Sequence, residues 1–334
     1  MTTKTPDWVY NGWKTPDNYR IPIRPAVISF SGGRSSGYML KHILDAHGGS
    51  LPDDVFVCFA NTGKERPETL DFVQRVSQEW GVHIVWLERD LDEGNTFNVV
   101  SHNSASRKGE PFEAFLNTQK LLPSPKRRTC TTDLKVRPIR WYCQRELGLK
   151  NWSGVIGYRP DEFHRVKRLY ACDDEKWHEG QTQFLFQGET DPEHPWKAEA
   201  ERKKRRLQKL QQEGLKPQTP MAFDLMATAD GVKSWWKMQP FDLGIESWEG
   251  NCDICFLKRQ GVVKRIMRLH PQLARWWIEQ EKRVRAEDHP NSNLFRIDRP
   301  NYAALLQFVK ANPEFDGEFL EATPDDGQEC LCHD

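Results

Sequence analysis

The sequence contains no apolar run long enough to cross a bilayer, and its amino-terminal stretch is polar and contains prolines. We therefore expect neither a membrane span nor a secretory leader, and we predict a cytoplasmic protein. The net charge is zero, with 48 basic and 48 acidic side chains, which argues against indiscriminate binding of nucleic acid but allows a local basic face. Eight cysteines in 334 residues are too few for a disulfide scaffold, so in a reducing compartment their grouping indicates metal binding or thiol chemistry.

Short apolar runs alternate with helical patterns from residue 26 onward. AVISF, VFVCFANTG and HIVWLER predict strands, and SGYMLKHILDAHG and PETLDFVQRVSQEWG predict the helices between them. The strands are continuously apolar, which is typical of an α/β fold whose parallel sheet is covered by helices on both faces. Ligands bind such sheets at the carboxyl ends of the strands, where SGGRSSG and ANTGKE lie.

The rest of the chain is less regular. It predicts helices at PFEAFLNTQKLL and LKVRPIRWYCQREL, a loop at SPKRRTCTTD, a strand at WSGVIGY, and helices from Gly261 onward that Pro271 interrupts. The expected division is an amino-terminal arm over 1–25, an α/β core over 26–165, a charged insertion over 166–220, a region over 221–320 with final core strands, a CxxC pair and a helical C-terminal part, and a cysteine-containing tail over 321–334.

The stretch SGGRSSG places two glycines between serines directly after the first predicted strand. A strand, a glycine-rich turn and a helix start aim several N–H groups and the positive end of a helix dipole at one point, which suits a phosphate. Arg34 would clamp the phosphate oxygens. An ordinary tight turn is the alternative, and the spacing is neither a Walker loop nor a dinucleotide fingerprint. The turn and its hydroxyl donors would come from Ser31, Gly32, Gly33, Ser35 and Ser36.

These residues resemble the SGGxDS pyrophosphate loop of the N-type ATP pyrophosphatases, the PP-loop superfamily. NTGKERPETLDF (61–72) is similar to the xTGxxxPET segment of its PAPS reductase-like branch, and GYRPDEFHR (157–165) resembles that branch's GxRxxES-like segment. The resemblance implies an adenine nucleotide alpha hydrolase-like fold that binds ATP and Mg²⁺. Ser35 stands where the family has Asp, so that carboxylate's role would be absent or supplied by Glu65 or Asp161. Beyond the glycine loop, the implied nucleotide-binding residues are Asn61, Gly63, Gly157, Arg159 and Arg165.

Three cysteines are candidate ligands of an iron–sulfur cluster. Cys252 and Cys255 form a CxxC pair, which can share a metal or cluster, and Cys130 follows three basic residues that would favour its thiolate. In resembling families that bind a [4Fe–4S] cluster, the cysteines come from corresponding regions, so the resemblance implies these three as ligands, with one iron left open. A zinc site completed by His164 or Cys332, or a redox-active dithiol, is the alternative.

The remaining cysteines are interpreted individually. Cys58 is predicted to be a core residue, and Cys143 and Cys172 to have no special role. The tail ECLCH resembles the ECGxH tail of the sulfonucleotide reductases, which would make Cys330 a nucleophile or a persulfide carrier; a tail without a role and a fourth cluster ligand are the alternatives.

The resemblance is nearest to the ATP pyrophosphatase subunits of DNA phosphorothioation systems, of the Dnd or the Ssp type, and we favour the Ssp type. It implies that ATP adenylates a substrate oxygen, in DNA a backbone phosphate, with release of pyrophosphate. Sulfur from a cysteine desulfurase partner then replaces that oxygen by way of the cluster. Arg34, Glu65 and Cys330 would be catalytic, and a homodimer is one expected assembly.

Two sets of residues would serve binding of DNA. The basic runs at 126–128 and 202–206 would contact phosphates, and Trp235, Trp236, Trp276 and Trp277 would stack on bases. The alternative for the basic run at 202–206 is a solvated surface helix, and the alternative for the tryptophans is packing in the core. The competing functions are a sulfonucleotide (PAPS or APS) reductase with a thiol nucleophile and a non-catalytic nucleic-acid-binding subunit.

Overall fold

The computed structural model describes residues 20–91, 96–162, 165, 218–225, 227–283 and 293–314. One five-stranded sheet has the order β4–β3–β2–β1–β5. β1 pairs in parallel with β2 and β5, and β2 pairs in parallel with β3, whereas β4 runs antiparallel to β3 at the edge. The strands are β1 Ala26–Ser29, β2 Val55–Asn61, β3 Ile84–Asp90, β4 Thr96–Val100 and β5 Ser153–Val155.

Eight helices of eight or more residues lie in the described part of the chain. Thr129–Thr131 and the π-helical stretch Thr132–Val136 lead directly into α4, and short helical turns form at Pro160–Glu162, Pro220–Phe223 and Pro271–Leu273. The eight are α1 Arg34–Ala46, α2 Pro67–Trp80, α3 Glu110–Gln119, α4 Arg137–Arg145, α5 Ala229–Trp236, α6 Gln260–Leu269, α7 Ala274–Arg283 and α8 Tyr302–Ala311.

Helices cover both faces of the sheet, as the apolar strands predict. Ala26 and Ile28 of β1 point to the face on which α1, α2 and α5 pack, and Val27 points to the face that Cys143 of α4 covers. The α/β fold with a mostly parallel sheet and a helical C-terminal region is therefore confirmed. Trp235 and Trp236 are buried in the first of these cores, so core packing is the correct interpretation of that pair.

A second core joins α3 to the helical C-terminal region. Phe256, Trp277, Phe295 and Tyr302 are buried there with the CxxC segment, and Trp276 packs against them from a partly buried position. Within the described ranges, no helix is both long enough and apolar enough to span a membrane.

Three details of the predicted organisation are wrong. The region 221–320 contains no strand among its described residues, only a bridge at Cys252, because Phe241 and Ile245 reach the first core from turns and loops. The predicted loop SPKRRTCTTD becomes helical from Thr129. The antiparallel edge strand β4 was not predicted.

Candidate functional site at the carboxyl edge of the sheet

The polar segments singled out in the sequence follow the parallel strands at one edge of the sheet. The glycine loop follows β1, the segment Thr62–Arg66 follows β2, and Gly157–Glu162 follows β5. Because the carboxyl ends of parallel strands meet at the same edge, this is where a ligand is expected to bind.

The glycine loop is closed by its own hydroxyl groups. Ser36 Oγ donates to the carbonyl of Gly33 at 3.0 Å, accepts from the amide of Ser31 at 3.2 Å, and lies 2.9 Å from Ser31 Oγ. Gly32 has a φ of +78°, and a Cβ there would lie 2.8 Å from Cγ2 of Thr69 on α2. The left-handed backbone and this close approach both require glycine.

The amino terminus of α1 lies beside this loop and carries no side-chain cap. Gly33 is the N-cap residue, and the first turn contains no acidic side chain. Ser35 Oγ accepts a hydrogen bond of 2.8 Å from Nη1 of the buried Arg159, which places a guanidinium beside the positive end of the helix dipole. Uncapped first-turn amides together with a buried cation fit a bound anion. Gly157 also lies here, because a Cβ on it would be 3.6 Å from Cα of Ser36.

Two carboxylates hold the arginines that follow β5. Arg159 Nε donates to Asp161 at 3.0 Å, and Glu162 pairs with both Arg159 and Arg165. Burial alone would raise the pKa of Glu162, but the two guanidinium groups hold that pKa below its ordinary value. Arg165 also lies over the ring of Tyr158, 4.2 Å from its centroid. The structure therefore brings Arg159 to the glycine loop and holds Arg165 in the same ion-pair group.

Arg34 does not take the predicted position. Its Nε and Nη2 atoms each donate to the carboxylate of Asp242 at 2.7 Å, and Nη2 also donates to the carbonyl of Ile245. The partner lies 208 residues further along the chain, so no local pattern could indicate it. A bidentate pair of this geometry occupies the fork of the guanidinium, and the predicted phosphate clamp is therefore not formed in this structure.

Asn61 and Gly63 shape the segment after β2. Asn61 Oδ1 accepts from the amide of Gly63 at 3.0 Å, and its Nδ2 donates to the carbonyl of Ser106 at 2.8 Å. Gly63 has a φ of +76° and packs against the backbone of Gly109, where a Cβ would lie only 3.0 Å from Cα. Protein groups thus satisfy the fully buried Asn61 side chain, and both residues act here by positioning the loop.

Glu65 is wholly buried behind this loop. Its carboxylate accepts from the amide and hydroxyl of Thr62 at 2.8 Å each and lies 3.3 Å from Nζ of Lys135. Asp161, the other candidate to replace the missing loop carboxylate, has a side chain that is 38% exposed, and it accepts from the amide of Ala229. Of the two, Asp161 is therefore the carboxylate that a metal in solution can reach.

Cys130, Cys252 and Cys255 line one buried pocket, which we call the thiol pocket. No three His, Cys, Asp or Glu side chains of the described ranges converge closely enough to bind a single metal ion. The three thiols line the same small pocket, and thiolates are the ligands that iron–sulfur clusters take from proteins. The other lining residues are Thr62, Lys64, Thr131 and Lys135 on the polar side and Phe112, Phe256, Leu257 and Trp277 on the apolar side.

The CxxC segment is paired with the segment after β2. Cys252 forms an antiparallel bridge with Glu65, and the amide of Asp253 donates to the carbonyl of Lys64 at 3.0 Å. The side chains of Lys64 and Asp253 form a buried ion pair of 2.7 Å, and Trp277 Nε1 donates to the same carboxylate at 2.8 Å. These contacts fix two of the three thiols relative to the sheet.

Asn251 links this segment to the glycine loop. Its carbonyl accepts from the amide of Arg66 at 2.8 Å, and its Nδ2 donates to the carbonyl of Ser31 at 3.1 Å. The residue that holds the glycine loop is therefore the immediate neighbour of a thiol in the pocket, Cys252. Asn251 is not among the residues predicted from the sequence, where its position next to the CxxC pair is the one available signal.

The other cysteines fall into two groups. Burial raises the pKa of the Cys143 thiol to about 12 and raises that of Cys58 well above its usual range, so neither thiolate is favoured. Both lie in the core between the sheet and α4, which confirms the prediction for Cys58. Cys172, Cys330, Cys332, His164 and the basic run 202–206 lie outside the described residues.

No protein-family model matches the chain. Over 238 residues the sequence is 28% identical to an uncharacterized nin region protein, ORF290, of Escherichia phage lambda; the match covers 70% of this chain and 66% of that protein, just under two thirds. Among solved structures, the U34-tRNA thiolase NcsA of Methanococcus maripaludis with its [4Fe–4S] cluster aligns with a TM-score of 0.30 and 13% identity, over 98% of this chain and 85% of that one. A TM-score of 0.30 carries no argument for a shared fold, so the fold assignment depends on the strand order and loop geometry described above.

Proposed function

We propose that this protein is a PP-loop enzyme of the PAPS reductase-like branch that transfers sulfur at the expense of ATP. The observation that carries the proposal is the hydrogen bond from Asn251 to the carbonyl of Ser31. It joins an anion-binding glycine loop directly to a segment that contributes Cys252 to the thiol pocket. Activation by a nucleotide and delivery of sulfur would thus take place at adjacent positions on one sheet edge.

The glycine loop and the uncapped start of α1 would bind the pyrophosphate part of ATP. Arg159 supplies a positive charge beside Ser35, and the partly exposed Asp161 is the carboxylate available to a Mg²⁺ ion that accompanies the triphosphate. A substrate oxygen then attacks the α-phosphorus, and the bond to pyrophosphate breaks, which leaves the substrate joined to AMP. A sulfur nucleophile displaces AMP with the oxygen, because AMP is a far better leaving group than the original oxygen.

The thiol pocket would hold a [4Fe–4S] cluster through Cys130, Cys252 and Cys255. Such a cluster, when bound, supplies an iron without a protein ligand at which sulfur can be carried. Two lysines line the pocket, and a carboxylate holds each of them in place: Asp253 pairs with Lys64, and Glu65 pairs with Lys135. Glu65 would act in this proposal as a positioning residue for Lys135.

The proposed reaction needs a sulfur donor and a sulfur acceptor. The sulfur donor would be a cysteine desulfurase, and the acceptor would be a DNA backbone phosphate, as in the Dnd and Ssp systems that the sequence resembles. Cys330 would relay persulfide sulfur, and the chain would act in the cytoplasm as a homodimer.

The test is the metal content of protein purified without oxygen. We expect about four irons and four sulfides per chain in the wild type, with loss of the cluster absorption in Cys130→Ala, Cys252→Ala and Cys255→Ala. Cys143→Ala is the matched control, since it removes a buried thiol from a different core and should retain the iron. Zinc, or no metal, in the wild type would overturn the cluster and favour a dithiol or tail-cysteine reductase.

A second measurement tests the nucleotide chemistry. Purified protein with its acceptor should release pyrophosphate from ATP, and Arg159→Gln should weaken the binding of ATP because it removes the cation beside Ser35. Sulfite release that depends on thioredoxin, without pyrophosphate release, would instead identify a sulfonucleotide reductase.

A further inference from the structure

Basic charge is concentrated in one part of a chain whose net charge is zero. Residues 120–150 contain nine lysines and arginines but only two acidic residues, Asp133 and Glu146. Asp133 is buried and paired with Arg137, one turn further along the helix. The excess of positive charge in this part of the chain is therefore not balanced by its own carboxylates.

Three of these cations lie close together in the sequence and are free to meet a ligand. Lys126, Arg127 and Arg140 are exposed, and none of them has an ion-pair partner within the described ranges. Exposed arginines elsewhere are paired with carboxylates, such as Arg24 with Asp54 and Arg275 with Glu279. Unpaired exposed cations retain their full charge for a ligand in solution.

Helix geometry places several of the charges on one face. The side of α4 that carries Ile139 and Cys143 packs against the sheet, whereas Arg137, Arg140 and Gln144 are exposed at spacings of three and four residues. Arg145, beside this stripe, lies over the ring of Trp141. We call Lys126, Arg127, Arg137, Arg140 and Arg145 the basic surface.

The basic surface belongs to the same stretch of chain as three residues that line the thiol pocket, Cys130, Thr131 and Lys135. Cys130 follows Arg127 by three residues, and Lys135 of the π-helical stretch lines the pocket. Arg140 lies five residues after Lys135, about 7 to 8 Å along the helix at the α-helical rise. A polyanion bound along this surface would therefore lie close to the segment that contributes Cys130 and Lys135 to the pocket.

We propose that the basic surface binds the phosphate backbone of a nucleic acid and presents one phosphate to the thiol pocket. This inference rests on the proposed function, since it assigns the binding surface for the DNA acceptor. A backbone phosphate is a repeating anion without sequence information, which matches a surface made of separate cations rather than a shaped polar pocket.

The test measures binding of fluorescein-labelled duplex DNA by anisotropy over a range of salt concentrations. The triple variant Lys126→Gln, Arg127→Gln, Arg140→Gln should bind at least about tenfold more weakly at low salt, and the salt slope should fall by about 0.9 for each phosphate contact removed. The matched control Lys237→Gln, Arg275→Gln, Lys310→Gln removes the same charge from exposed positions elsewhere and should bind like the wild type.

Competition by poly-glutamate of similar charge distinguishes nucleic acid from an acidic protein partner. The labelled DNA should stay bound at poly-glutamate concentrations well above the DNA concentration. Displacement of the DNA by poly-glutamate at equal concentration would overturn the inference. Equal losses of DNA affinity in the two triple variants would also overturn it. Iron content, measured on the same preparations, reports the proposed function separately. Full iron content with binding unchanged in the first triple variant would reject the surface and leave the sulfur-transfer proposal standing.

Discussion

Gly32 shows how one missing side chain shapes the candidate phosphate loop. Gly32→Ala should lower the free energy of unfolding by about 2–4 kcal/mol, because the left-handed backbone costs about 1 kcal/mol and the contact with Thr69 adds an overpacking cost of about 1–3 kcal/mol. Gly48→Ala is the control, since Gly48 has a φ of +76° but nothing within 4 Å of a Cβ. Urea unfolding of both variants measures the difference; equal losses would show that packing at Gly32 contributes nothing.

His42 should make stability depend on pH. Its ring lies 4.2 Å from that of Tyr38, and neither imidazole nitrogen has a hydrogen-bond partner in the described part of the chain. Burial lowers the pKa of His42 to about 4, and nearby Lys41 and Asp45 act in opposite directions. Because the unfolded state then binds more protons between pH 6.5 and 4, stability should fall as the pH falls through that window, by about 3 kcal/mol in total.

The measurement compares unfolding free energies of wild type and His42→Phe at several pH values. The difference in unfolding free energy between the two proteins should be constant above pH 6.5. Below pH 6.5 the variant should become more stable relative to the wild type. His83→Gln, which removes an exposed histidine, should follow the wild-type curve. A His42→Phe curve parallel to that of the wild type down to pH 4 would contradict the prediction.

The sequence identified site residues where the chemistry is local and missed them where it is long-range. The Ser31–Ser36 loop and the CxxC pair follow from short patterns, since their neighbours in the chain determine the turn and the spacing, whereas only the family resemblance joined Cys130 to that pair. The partners of Arg34 and Ser31 could not be predicted, because Asp242 and Asn251 lie more than 200 residues away.

Among the secondary-structure elements, the buried pair between Lys64 and Asp253 connects the segment after β2 to the CxxC segment. Lys64→Met should cost about 3–5 kcal/mol of unfolding free energy, because it leaves the Asp253 carboxylate buried without its counter-charge. Lys64→Met with Asp253→Leu should recover part of that loss. Lys41→Met breaks the exposed pair with Asp45 and should cost less than about 1 kcal/mol. Urea unfolding measures all three, and a double variant no more stable than Lys64→Met alone would contradict this interpretation.

The predicted elements are correct where a continuous apolar run or a helical period is strong. β1, β2, β3 and the helices on either side of Pro271 belong to this group. β4 was missed because it is a five-residue edge strand whose Val99 is 59% exposed, so its sequence carries little burial signal. The described residues of 221–320 form no core strand, and contacts with residues 62–66 fix the backbone near Cys252 instead.

On the scale of the whole molecule, the core that α1, α2 and α5 form on the sheet and the core of the helical C-terminal region should unfold together. The pairs Arg66–Asn251, Glu65–Cys252 and Lys64–Asp253 join the sheet to the helical C-terminal region at one place. We expect amides in α1 and α8 to exchange hydrogen with the same opening free energy and the same dependence on urea. Native-state hydrogen exchange measures both, and earlier opening of α6 to α8 would show that this connection does not couple the cores.

The segment that pairs with Glu65 contains Cys252, so the thiol pocket is completed only late in synthesis. About 120 residues separate Cys130 from Cys252, so at about 5–20 residues per second the first thiol precedes the second by about 6 to 24 s during synthesis. Throughout that interval the nascent chain carries Cys130 and the basic surface without the segment that completes the pocket. In the proposed function, iron–sulfur assembly would therefore wait for the synthesis of Cys255, and a translational pause before residue 252 would lengthen the exposure of a lone thiol to oxidants.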